Sequence, residues 1–195
     1  MPSGRIYKYL KRILDIIFSY TLLIIFCIPM VVISVTIRLC DGHSAIFKQI
    51  RIGKNEKKFV CYKFRTMRTD APSNLSTNEF SDAYQYVTRT GAFLRRTSLD
   101  ELPQLFNVLV GDMSFIGPRP LIPKEKEIHK MRKNAGVYNV RPGITGLAQI
   151  CGRDRLSDQR KAECDAIYSN NINFITDLII IKKTISNVMS KDGIK

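Results

Sequence analysis

The chain has 195 residues, 45% of them hydrophobic, enough for one domain with its own core plus an appended segment. A formal net charge of +14 implies an anionic partner: nucleic acid, acidic lipid or a phosphorylated small molecule. Five scattered cysteines without CxxC spacing, and only two histidines, argue against a disulfide framework, structural zinc and histidine-based chemistry, and fit a reducing compartment.

The N-terminus is basic, with Arg5, Lys8, Lys11 and Arg12, and no charged residue occurs from Ile16 to Ile37. This apolar run lies too far from Met1, and is too long, for a signal peptide. About 20 such residues suffice to cross a bilayer. Two features speak against a simple span. Pro29 removes a backbone hydrogen bond near the middle and favours a kink. Positive charge flanks both ends (Lys8, Lys11 and Arg12 before, Arg38, Lys48 and Arg51 after), which directs both to the cytoplasmic side. A helix that enters, breaks at Pro29 and returns to the same face meets both conditions; a single span with a tolerated proline is the alternative. Asp15 stands one turn from Lys11 and Arg12 and is expected to pair with them.

After Asp41-Gly42 the composition becomes that of a soluble domain, so the expected division is 1–40 and 41–195. Residues 46 to 52 and 59 to 64 read as a β-hairpin around Gly53-Lys54-Asn55-Glu56. Its second strand places Lys63 and Arg65 on one side, either as a solvated face or as a cationic pair. Residues 69 to 88 form a long polar loop, of a kind that serves as a lid or is simply mobile.

Between Arg95 and Arg119 the chain reads RRTSLDELPQLFNVLVGDMSFIGPR, an adjacent acid pair between arginines. Ser98 with Glu101 fits a capping box, which alone would account for the acids. Pro103 suits a first helical turn, putting Asp100 and Glu101 at or just before a helix start. There the helix dipole and the arginines are expected to depress the carboxylate pKa and keep Asp100 ionised. Such an aspartate can act as a nucleophile or a magnesium ligand. Leu102, Leu105, Phe106 and Leu109 form a stripe expected in the core, and Gly111 stops the helix. Gly117-Pro118-Arg119-Pro120 is a restricted turn, either structural or presenting a guanidinium to phosphate.

Residues 123 to 134 read as a short charged helix. From Arg141 to Arg153, three glycines and a proline lie between two arginines, as in a loop whose backbone approaches a ligand. No Walker or GxGxxG pattern is present. Two helices follow, at about 158 to 170 and 174 to 190. In the second, Phe174, Leu178, Ile181 and Ile185 recur at helical spacing, and Asp177 stands among apolar residues, where an acid needs a partner.

FKQIRIG from Phe47, YKFRTM from Tyr62, SLDELPQLFNVLVGDMSFIGPRP from Ser98, RPGITGLAQICGR from Arg141 and NFITDL around Asp177 form an ordered series over nearly the whole chain. In these motifs the chain resembles the bacterial sugar transferases, small monotopic phosphoglycosyl transferases acting on polyprenol phosphate. The resemblance implies an α+β fold: an N-terminal reentrant membrane helix broken at Pro29, then a compact, mainly helical catalytic domain with a small β-hairpin. It implies an enzyme at the cytoplasmic face of the bacterial inner membrane, with Mg2+ as cofactor. Its partners would be a UDP-sugar, undecaprenyl phosphate, the bilayer and downstream glycosyltransferases, but not nucleic acid. Asp100 would be the nucleophile and Glu101 its dyad partner, both concerned with magnesium. Lys63, Arg95, Arg119, Arg141 and Arg153 would bind substrate phosphate, and Asp177 would support the active site. The expected reaction transfers sugar-1-phosphate to the lipid through an aspartyl-phosphosugar, releasing UMP, as the first membrane step of glycoconjugate assembly. Two departures from the pattern are Ile28 before Pro29, where Ser is frequent, and Leu147, where Trp is common. The rival reading is a noncatalytic, membrane-tethered basic module binding anionic lipid or nucleic acid. It accounts for the charge and the apolar run but not for the acid pair beside arginines.

Overall fold

The computed structural model describes residues 3–71, 83–152 and 155–189; much of the polar loop and Arg153 lie outside them. Two helices open the chain, α1 (Ser3–Ile25) and α2 (Cys27–Asp41), meeting at a bend of 60°. The break falls at Phe26, not at Pro29. Pro29 sits in the first turn of α2, where a proline is tolerated because it has no N–H to satisfy. Its ring would clash with the Ile25 carbonyl one turn back, so the chain must turn before the proline is reached. The ladder continues on either side, with Phe26 N donating to Leu22 O at 2.8 Å and Met30 N to Phe26 O at 2.8 Å. Among the described residues no single helix is long and apolar enough to cross a membrane; only the bent pair together meets that test.

The hairpin forms as β1 (Ile46–Ile52) and β2 (Lys58–Phe64), antiparallel, with Ile46 opposite Phe64 and Ile52 opposite Lys58. Next come α3 (Arg89–Thr97), started by the Thr88 side chain accepting from Gly91 N at 2.9 Å, and α4 (Gln104–Val110). Asn107 of α4 binds the hairpin from one side, its Oδ1 accepting from Tyr62 N at 3.1 Å and its Nδ2 donating to Val60 O at 2.7 Å. That bonding lets a polar residue occupy the inward face of α4. Leu105 and Val108 share the face, while Phe106 of the expected core stripe is exposed.

The remaining elements are β3 (Ser114–Ile116), α5 (Lys126–Asn134), β4 (Gly143–Thr145), α6 (Leu147–Cys151), α7 (Asp158–Asn170) and α8 (Phe174–Met189). β3 and β4 pair in parallel, Ser114 with Gly143 and Ile116 with Thr145. Three-residue strands carry too little alternation to be recognised in a sequence. The pairing also corrects the glycine-loop expectation. A Cβ on Gly143 would lie 2.1 Å from Gly117 N, and one on Gly146 2.1 Å from Gly117 O. These glycines admit the protein's own Gly117 turn rather than a ligand.

α1 is tied into this assembly. Arg12 donates to the Val108 and Leu109 carbonyls at 2.7 and 3.0 Å, satisfying the last turn of α4. Asp15 is buried and accepts from Phe115 N at 3.2 Å, while Lys11 pairs with Asp177; the expected pairing of Asp15 with Lys11 and Arg12 does not form. A buried peptide N–H needs an acceptor, and Asp15 is placed to supply one. On α8, Asp177 and Ile180 face inward, whereas Phe174, Leu178, Ile181 and Ile185 are exposed.

Candidate active site

Asp100 and Glu101 lie in a single 3-10 turn, Leu99–Glu101, joining α3 to α4. Ser98 adopts the left-handed conformation (φ 56°) and closes α3, its N–H donating to Arg95 O and Leu94 O. Its side chain makes no capping bond, so the capping box does not form: a residue committed to ending one helix is not shaped to start the next. With Pro103 immediately before α4, the acid pair stands at the helix entrance.

Three elements bring cations to this turn. Lys63 of β2 reaches Glu101 Oε1 at 2.8 Å. Arg119, from the turn after β3, has Nη1 4.0 Å from the same oxygen. Arg95 of α3 is held by its Nε donating to Thr66 Oγ1 at 2.9 Å. Arg65, just past β2, turns away, donating to the Ser44 carbonyl with its guanidinium over Phe47.

Asp100 departs from expectation. Burial raises its pKa above the ordinary carboxylate value; Lys63 pulls it down, Glu101 pushes it up, and Arg95 and Arg119 pull it down. Desolvation outweighs the surrounding cations, because taking a carboxylate out of water disfavours its charged form more than partly screened neighbours restore it.

Two arginines not selected from the sequence shape the turn that carries Arg119. Arg51 of β1 donates to Pro120 O at 2.9 Å; burial and the repulsion of Arg119 bring it down to about 10, so it stays cationic at neutral pH. Arg132 of α5 donates to Arg119 O at 2.8 Å and is paired with Asp165 of α7, at side-chain exposures of 3% and 1%. The consecutive carbonyls of Arg119 and Pro120 are thus held by a buried and a half-buried guanidinium, and the Arg119 side chain is left facing Glu101. Arg132 sits in a run of charges that gives no sign of which one turns inward.

Arg141 and Asp177 are placed elsewhere. Arg141 Nε donates to Gly111 O at 2.8 Å, beside Arg12. Asp177 accepts from Tyr7 Oη and Lys11 Nζ, each at 2.7 Å, and from Tyr168 Oη at 2.8 Å. It joins the first helix to the last two.

Beside the acid pair opens a cavity of about 240 Å3, walled by Glu101, Leu105, Phe115, Thr145, Gln149 and Thr184 and mainly apolar. Among the described residues no cluster of three or more Asp, Glu, His or Cys could enclose a metal. Magnesium does not need one, since it is commonly held by one or two carboxylates, with water and substrate phosphate completing six oxygen ligands. The hard oxygens of Asp100 and Glu101 fit that requirement.

A family model described as bacterial sugar transferase matches residues 6–191. The chain is 42% identical to the "uncharacterized sugar transferase EpsL" of Bacillus subtilis over 191 residues, covering 95% of this chain and 90% of that one. It is 37% identical to the exopolysaccharide production protein ExoY of Rhizobium meliloti (94% and 87% covered). It is also 36% identical to the undecaprenyl-phosphate galactose phosphotransferase of Salmonella typhimurium, covering 95% of this chain but 42% of that longer protein. Matched over almost its full length by the family model and by these relatives, the chain belongs to the bacterial sugar transferase family and is by class a phosphoglycosyl transferase.

Proposed function

We propose that the protein moves a sugar-1-phosphate from a UDP-sugar onto undecaprenyl phosphate, with Asp100 as the nucleophile. The observation that carries this reading is the Asp100-Glu101 turn, partly withdrawn from water and faced by Lys63, Arg95 and Arg119. An anionic carboxylate approaches a diphosphate only where the phosphate charge is neutralised, and fixed guanidiniums do this with little reorganisation. Asp100 attacks the sugar-bearing phosphorus, the bond to the bridging oxygen breaks, and UMP departs with that oxygen. A phosphate oxygen of the lipid then attacks the same phosphorus, releasing Asp100 and forming undecaprenyl-diphospho-sugar. Dividing the transfer lets a soluble donor and a lipid acceptor use one site in turn. Mg2+ held by Asp100 and Glu101 would supply Lewis-acid stabilisation of the diphosphate oxygens. Lys63 orients Glu101, while Arg51 and Arg132 hold the backbone from which Arg119 extends.

The bent α1–α2 pair is read here as a reentrant membrane element, with residues 41–195 forming the catalytic domain on the cytoplasmic face of the bacterial inner membrane. Supporting this are the exposed apolar side chains of α1 and α2, among them Ile17, Phe18, Ile24, Ile28, Val31 and Leu39, and the exposed apolar row on α8. The product would pass to glycosyltransferases that extend it.

The test is UMP release by detergent-purified protein given undecaprenyl phosphate, Mg2+ and a panel of UDP-sugars. Release is expected with wild type, lost with Asp100→Asn and lost on chelation. Full turnover by Asp100→Asn would remove Asp100 as nucleophile.

A further inference from the structure

β3 separates two pockets. Phe115 points to the cavity beside the acid pair, while Ser114 and Ile116, one residue to either side, line a second one on the opposite face, as strand alternation requires. This second pocket, about 90 Å3, lies against α1 and is walled by Lys8, Lys11, Arg12, Lys54 and Arg141. Facing these five cations are two carboxylates: Asp15, which also lines it, and Asp177, bonded to Lys11. Arg12 and Arg141 flank Gly111, where a Cβ would lie 3.1 Å from Arg12 Nη2 and 3.9 Å from Arg141 Nε. Their bonds to the Val108, Leu109 and Gly111 carbonyls orient both guanidiniums but leave their charge in place. The Ser114 hydroxyl, on a residue 2% exposed, has no hydrogen-bond partner among the described residues. A buried hydroxyl left unpaired is costly, as is a group of like charges, and one anion that accepts hydrogen bonds would relieve both.

We infer that this pocket binds a phosphate group, distinct from the substrate phosphates handled at Asp100 and Glu101. A phosphoryl group fits within it. Lys8, Lys11 and Arg12 occupy the turns of α1 directly before its apolar run, the level at which a reentrant helix meets lipid headgroups. On the reading of α1–α2 as membrane-embedded, a lipid headgroup phosphate is the occupant, fixing the depth and tilt of α1. Free phosphate shares the chemistry.

Calorimetry on the full chain in detergent separates the sources, using short-chain dihexanoyl phosphatidylglycerol in one arm and inorganic phosphate in the other. Binding is expected to weaken about tenfold in Lys54→Ala and in Ser114→Ala, the loss of one hydrogen bond or ion contact to a charged group. It should be unchanged in Lys48→Ala, on the exposed side of the hairpin, and in Arg119→Ala, which disables phosphate binding at the acid pair. Ser114→Ala should melt no lower than wild type in phosphate-free buffer, since its hydroxyl is unpaired, and should lose the stabilisation that phosphate confers. The same variant dependence in the inorganic arm with none in the lipid arm would keep the site and assign it to soluble phosphate. Binding abolished by Arg119→Ala but indifferent to Lys54 and Ser114, or absent in both arms, overturns the inference. Neither readout depends on sugar transfer, so the site can fail while the proposed reaction stands.

Discussion

Replacing Asp177 by asparagine tests whether this acid serves chemistry or architecture. Its carboxylate takes hydrogen bonds from Tyr7, Lys11 and Tyr168, and the side chains of Lys11 and Asp177 are 14% and 5% exposed. The amide keeps the size but leaves the Lys11 ammonium without its counter-charge in a largely dehydrated position, a loss of about 3–5 kcal/mol for a buried pair. For a chain of this length each kcal/mol lowers the melting temperature by roughly 2–4 °C, so a fall of roughly 6–20 °C is expected. Removing both charges with Lys11→Met and Asp177→Leu should recover at least half of it, because no stranded charge remains. The assay is thermal unfolding of the detergent-purified protein by circular dichroism, with UMP release measured on the folded enzyme below the transition. Activity per folded molecule should fall less than about tenfold, as the residue acts through the seating of α1 rather than on the reacting atoms. Asp177→Asn melting with wild type while turnover falls a hundredfold would refute the reasoning and return the residue to the active site.

Other outcomes follow from the same geometry. Because the pKa of Asp100 is raised on folding, its charged form is disfavoured in the native state above the ordinary carboxylate value of about 4. Asp100→Asn should therefore raise the melting temperature at pH 7, with the gain vanishing as pH falls below about 4; a lower melting temperature at pH 7 would contradict it. For wild type, the acidic limb of kcat/KM should lie above the ordinary carboxylate value and move down as Mg2+ is increased, seen in pH profiles at two metal concentrations. Arg132→Met should cost about 3–5 kcal/mol and Arg132→Met with Asp165→Leu much less, while both reduce turnover, because Arg119 O has lost its donor. In single-cysteine variants, exposed Cys40 should react with an impermeant maleimide only from the cytoplasmic face, and Cys27, beside the bend, from neither. Labelling of Cys40 from the far side would indicate a span.

Local signals settled much of the architecture. The hairpin, the charged α5 and the two closing helices follow from strand alternation, turn residues and apolar spacing, all of which act over a few residues. The acid pair's position at the α4 entrance follows from Pro103, and Pro29 signals a break in the apolar run but not its place, which is Phe26. The ordered motifs were also enough to place the chain in its family. What local pattern could not decide is which side of each helix the core takes. On α8 the row of Phe174, Leu178, Ile181 and Ile185 is exposed and Asp177 is buried, because three donors on other helices, two of them on α1 at the far end of the chain, supply the contacts that make its burial tolerable. Partner choice is likewise tertiary. Asp15 serves a strand N–H instead of its helical neighbours, Arg141 lies beside Arg12 rather than Glu101, and Arg51 and Arg132 brace a turn remote from both. The direction of the Asp100 shift has the same origin. The sequence shows the cations beside the acid, but only the packed structure shows how much water has been removed, and desolvation is the larger effect.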